Sequence, residues 1–90
     1  ATLVASRRLD QAALVYHGLG ELTGGRGYEM WYSVNGSMVP AGLLADGHLD
    51  GATLLTGGLR GAAAVGVTVE RAGGSPKPTT NPILLLPVST

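Results

Sequence analysis

Ninety residues with no cysteine, no phenylalanine and a formal net charge of zero make one small domain, residues 1–90, whose core must be Leu, Val and Ala. That excludes a disulfide scaffold and every Cys-ligated metal site; six basic residues spread along the chain give neither a nucleic-acid patch nor a cluster for an anionic membrane. Fifteen glycines and five prolines favour an all-β domain over a helical one, and no run of about 18 apolar residues is present to span a membrane.

Residues 2–6 read as a short strand, followed by a polar turn at Arg7-Arg8-Leu9-Asp10. Residues 11–17 form a second strand, with Leu14 and Tyr16 alternating against Ala13, Val15 and His17. Residues 18–26 are a glycine-rich loop. Residues 27–34 carry the strongest strand pattern in the chain, rich in aromatic and β-favouring residues. Asn35-Gly36 then supplies a hairpin turn, because both residues tolerate the positive φ of a type I′ turn.

Residues 37–45 return antiparallel, and Pro40 pushes them toward a sheet edge or a bulge. Asp46-Gly47 marks another turn, residues 48–55 a weaker strand and residues 56–61 a loop. Residues 63–71 form a strand with Val65, Val67 and Val69 on one face and Gly66, Thr68 and Glu70 on the other. Residues 72–82 make a long hairpin loop, and residues 83–88 close the chain between Pro82 and Pro87. The alanine-rich stretches 11–15 and 59–65 are too short and too closely bounded by glycines to prefer helix. Seven or eight strands with a turn every ten residues or so define a small antiparallel β-sandwich. The chain starts at Ala1 without a signal peptide, so it reads as a fragment of a longer protein.

Chemistry-bearing patterns are sparse. His17 and His48 could bind a metal only with Asp10, Asp46 or Asp50, and strand histidines are usually surface or turn residues. No serine sits in a nucleophile elbow, and Glu29 and Glu70 both fall at solvent-facing positions of alternating strands, so no catalytic residue is assigned. Residues 18–24 approach a phosphate-binding glycine pattern but are one residue too long and precede a strand, so no cofactor is implied. Asn35-Gly36-Ser37 matches a glycosylation pattern that the turn already explains. Trp31 shares a strand face with Glu29 and Ser33, opposite Tyr28, Met30, Tyr32 and Val34. Burial of Trp31 under a loop is favoured over exposure to a partner.

Two segments carry a resemblance. Tyr28-Glu29-Met30-Trp31, followed by a hairpin and Ala41-Gly42-Leu43, precedes the run from Val65 to Thr79 that holds Glu70, Gly73, Gly74, Ser75, Pro76 and Pro78. Together they resemble the C-terminal domain of the anti-sigma-K factor (RskA-type) family, with Met30 where Leu is usual. The resemblance marks Tyr28, Trp31, Gly42, Glu70, Gly73, Gly74, Pro76, Pro78 and Thr79 as motif positions, which read as fold determinants and not as ligand contacts. It implies a single-pass bacterial membrane protein whose absent N-terminal domain holds an extracytoplasmic-function sigma factor. This domain would lie on the extracytoplasmic side, and membrane proteases would release the sigma factor. The alternative is a secreted or cell-surface carbohydrate-binding module, which needs exposed aromatic rings.

Overall fold

Alternation along each strand decides which side chains meet the core, and the turns decide which strands pair. The computed structural model describes residues 1–44, 50–59 and 61–88. Among them are seven strands: β1 (Thr2–Ser6), β2 (Gln11–Tyr16), β3 (Arg26–Val34), β4 (Ser37–Leu43), β5 (Gly51–Leu54), β6 (Ala64–Arg71) and β7 (Leu84–Pro87). They form two antiparallel sheets, ordered β1-β2-β5 and β4-β3-β6-β7. This is the small all-β sandwich that the turn spacing predicts. The expected strand over residues 48–55 is seen as Gly51–Leu54. His48 and the Asp46-Gly47 turn lie outside the described residues.

Ala12, Leu14 and Tyr16 of β2 face Met30 and Tyr32 of β3 and Val65 and Val67 of β6, all buried. Leu55, Leu59 and Ala62, from the segment crossing between the sheets, complete this core. Asp10 fixes that crossing. It sits at φ 53°, a left-handed conformation that Asp tolerates, and its Oδ1 accepts the Leu59 N–H at 2.8 Å. A β-carbon at Gly58 would collide with the same carboxylate.

The β3–β4 hairpin turns on Asn35 (φ 50°) and Gly36 (φ 82°), between the paired residues Val34 and Ser37. Farther along, Met30 lies opposite Gly42 and Trp31 opposite Pro40, so Ala41 is the extra residue of a β-bulge. Both expectations for Pro40 hold: β4 is an edge strand, and the irregularity sits beside the proline. The bulge turns the Ala41 carbonyl to accept the Thr56 N–H at 2.7 Å, which ties the two sheets together.

Gly42 has φ 116°, and a β-carbon there would lie 3.1 Å from Thr56 Oγ1 and 3.3 Å from Met30 Cε. Backbone strain and crowding therefore act together. Gly42→Val is expected to lower stability by about 2–4 kcal/mol in urea denaturation. A variant as stable as the parent would show that the bulge geometry is not required.

Candidate functional site

One face of β3 and β6 packs on the core; the other carries Glu29, Trp31, Gly66, Thr68 and Glu70. Their register places Trp31 opposite Gly66, Glu29 opposite Thr68 and Gly27 opposite Glu70. Such a face of a sandwich usually meets water. Here it is covered: Trp31 and Thr68 are completely buried, and Glu29 and Glu70 are only 4% and 2% exposed. The sequence reading of both glutamates as solvent-facing is therefore corrected. The cover includes residues 72–83, the connection from β6 to β7, which fold back over the sheet.

Hydrogen bonds hold this strap in place. The Trp31 indole N–H donates to Thr68 Oγ1 at 2.8 Å, and the Thr68 hydroxyl donates to Glu70 Oε2 at 2.6 Å. Glu70 also accepts the Thr79 backbone N–H, shared between its oxygens at 3.2 and 3.1 Å, and the Thr79 hydroxyl at 2.5 Å. Glu29 Oε1 accepts the Ser75 N–H at 2.7 Å. Thr80 Oγ1 donates to the Val69 carbonyl at 2.9 Å. Among the described residues, no buried side-chain nitrogen or oxygen lacks a partner.

Glycine opens the space the strap needs. Gly74 takes φ 82°, and its N–H bonds the Arg71 carbonyl at 2.8 Å. A β-carbon there would lie 3.1 Å from Leu43 Cδ2 and 3.3 Å from Glu29 Oε1. Gly73 has neither a positive φ nor a close neighbour. Pro76 is exposed and Pro78 half-buried; their rings restrict the unfolded strap and so lower the entropy lost on ordering it.

The two carboxylates are shifted in opposite directions. Burial opposes ionisation of Glu70, but bonds from the Thr68, Thr79 and Ser75 hydroxyls and the Thr79 N–H outweigh it, bringing its pKa down to about 2. For Glu29, burial dominates and raises the pKa; the Ser75 N–H lowers it, and the charge of Glu70 raises it again.

Other motif residues lie elsewhere. Tyr28 is half-buried and its hydroxyl donates to the Gly20 carbonyl at 2.6 Å, pinning the loop before β3. Gly42 sits in the bulge. The candidates for metal binding that lie among the described residues do not converge, and His48 and Asp46 lie outside them. Asp10 caps Leu59, while His17 lies 3.9 Å from Asp50 on the surface. Asp50 accepts the Gly18 N–H at 2.6 Å. No group of three or more His, Asp or Glu could hold a metal ion among the described residues.

The fold and strap define a small all-β domain with a polar clasp. The chain matches the family model for the C-terminal part of the anti-sigma-K factor RskA over residues 1–83, which spans β1 to β6 and the whole strap, and it belongs to that family. It is also 36% identical over 85 residues to a Streptomyces griseus protein named as uncharacterized, in the phr 5′ region. That match covers 94% of this chain and 36% of the relative, so the chain spans about a third of the relative's length. No solved structure matches the chain.

The clasp yields opposite expectations for its two acids. Glu70→Gln puts an amide where Thr79 donates twice, and is expected to cost about 2–3 kcal/mol at neutral pH. Glu29→Gln keeps an oxygen for Ser75 and is expected to cost less than about 1 kcal/mol. Because the folded pKa of Glu70 is depressed, its contribution is full above the unfolded value of 4.5 and is lost as pH falls toward about 2. Glu29 acts in reverse: its contribution is present below 4.5 and lost as pH rises through its raised folded pKa. Urea titrations across this range should show the acid loss removed by Glu70→Gln and the loss at higher pH removed by Glu29→Gln. Identical pH profiles for parent and variants would refute the assignment.

Proposed function

We propose that this chain is the extracytoplasmic domain of a single-pass bacterial membrane anti-sigma factor. In this reading, a cytosolic N-terminal part of the parent protein binds an extracytoplasmic-function sigma factor. Membrane proteases then act in sequence on the anti-sigma factor and free its partner. The observation that carries the reading is the family match over residues 1–83, which takes in every residue of the clasp. The relative's greater length leaves room for the other parts. The domain itself performs no catalysis and binds no nucleic acid; its work is to set when a protease gains access. A strap held by a few polar contacts suits that task, because it can open locally while the two sheets stay paired.

The carbohydrate-binding alternative calls for an aromatic platform. Trp31, Tyr16 and Tyr32 are buried, and the half-buried Tyr28 has its hydroxyl engaged by Gly20. That arrangement favours the regulatory reading.

The test is made in the full-length parent protein in its own cell. Glu70→Gln and Trp31→Ala are expected to increase both cleavage of the parent and transcription from a sigma-dependent promoter. Trp31→Ala should be the stronger, since it also removes about 3–5 kcal/mol of packing. A reporter enzyme active only outside the cytoplasm, fused after this domain, should be active. Deletion of the domain with no change in cleavage or transcription would refute the proposal.

A further inference from the structure

Beyond the clasp, the end of the β3–β6 pair holds two arginines that the regulatory reading does not use. Arg26 and Arg71 are direct cross-strand partners, and both are exposed. Like charges facing each other across an antiparallel pair destabilise it. No carboxylate among the described residues forms an ion pair with either of them; the ion pair found there is His17 with Asp50. Arg71 Nε donates to the Gly74 carbonyl at 3.2 Å, which restrains its side chain.

The two arginines border an open cleft of about 240 Å³, lined also by Gly24, Gly25, Val69, Thr79 and Thr80. Gly24 and Gly25 both have positive φ, 72° and 70°, so the loop brings bare backbone to the cleft wall where side chains would otherwise fill it. Glu70 also lines the cleft; its carboxylate is ionised, and its oxygens are occupied by Thr68 and Thr79. The Thr79 and Thr80 hydroxyls are donated to Glu70 and to the Val69 carbonyl, so it is the two guanidinium groups that match the planar, two-point recognition of an oxyanion.

The geometry points to a binding site for a phosphate or carboxylate group between Arg26 and Arg71. This goes beyond the proteolytic reading and does not depend on it. A bound anion would cancel the repulsion between the arginines. It would also sit against Thr79 and Thr80, the far end of the strap, so occupancy would favour the closed strap. Exposure of both arginines makes the site weak and sensitive to salt.

The experiment titrates the 90-residue chain with sodium phosphate, sodium acetate and sodium chloride at matched ionic strength. It follows the amide signals of Gly24, Gly25, Thr79 and Thr80 and the melting temperature. Saturable shifts and a raised melting temperature are expected with phosphate or acetate and not with chloride. Phosphate acting alone identifies a phosphate-bearing ligand; acetate acting as well admits carboxylates. Arg26→Gln is expected to raise the melting temperature in chloride, weaken anion binding by about tenfold or more, and abolish the anion-dependent rise. Arg71→Lys keeps the charge but loses the planar fork, and should weaken binding as well. Equal shifts with chloride, or binding unchanged in both variants, would overturn the site.

Discussion

A carboxylate removed from water must have its oxygens bound by donors, and the path of this chain after β6 follows from meeting that need for Glu70. Its donors include Thr68, two residues before it on the same strand, and Thr79, nine residues after it. Thr79 can reach Glu70 only if the intervening residues turn back over the sheet. The turn at Gly74 and the Ser75 N–H on Glu29 set that reversal. From this follow the burial of Trp31 and the starting point from which β7 pairs with β6. A cover of apolar side chains could have excluded water as well, and buried ionic groups are often no more stabilising than such a cover. Directional bonds do something an apolar cover does not: they fix one register of the strap on the sheet.

The cross-strand pair of Trp31 with Gly66 shows the same economy of space. A β-carbon at Gly66 would lie 2.8 Å from Met38 Cε, so the bare glycine lets Met38 and Leu85 approach the sheet beside the indole. The indole N–H is the polar side-chain atom of Trp31 to satisfy, and Thr68 accepts it while donating its own hydroxyl hydrogen bond to Glu70. Trp31, Thr68, Glu70 and Thr79 thus form one chain of donors and acceptors. A chain of this kind is lost as a unit when any member goes.

The strands were legible in the sequence because their signals are local. Alternation in 11–17 and 63–71, the Asn35-Gly36 turn and the edge-seeking Pro40 each act within a few residues. The clasp was only half legible. Glu70, Gly74, Ser75 and Thr79 stood out through the family resemblance, whereas the part Glu29 plays did not. Period-two alternation separates two faces of a strand but says nothing about what lies over the second one. Glu29 reaches Ser75 across 46 residues of sequence, a contact that depends on the fold being in place. The available signal was β3 itself: with Met30 and Tyr32 on one face and Trp31 on the other, both faces carry large rings or apolar chains, which argues for a strand covered on both sides. Asp10 is a similar case: it takes a left-handed backbone and accepts the N–H of the distant Leu59, a contact that no local pattern announces.

The same chemistry decides how the strap opens. When an apolar cover lifts, everything beneath it meets water at a loss. When this strap lifts, Trp31 loses burial and Glu70 loses donors that hold its charge better than water does, whereas the charge of Glu29 is no longer penalised by burial and by its neighbour. Glu29 therefore lowers the free energy of opening, and Glu70 raises it. The sandwich core, on the opposite face of β3 and β6, is not involved. The balance between closed and open strap is thus set by two glutamates of opposite effect on one face of two adjacent strands.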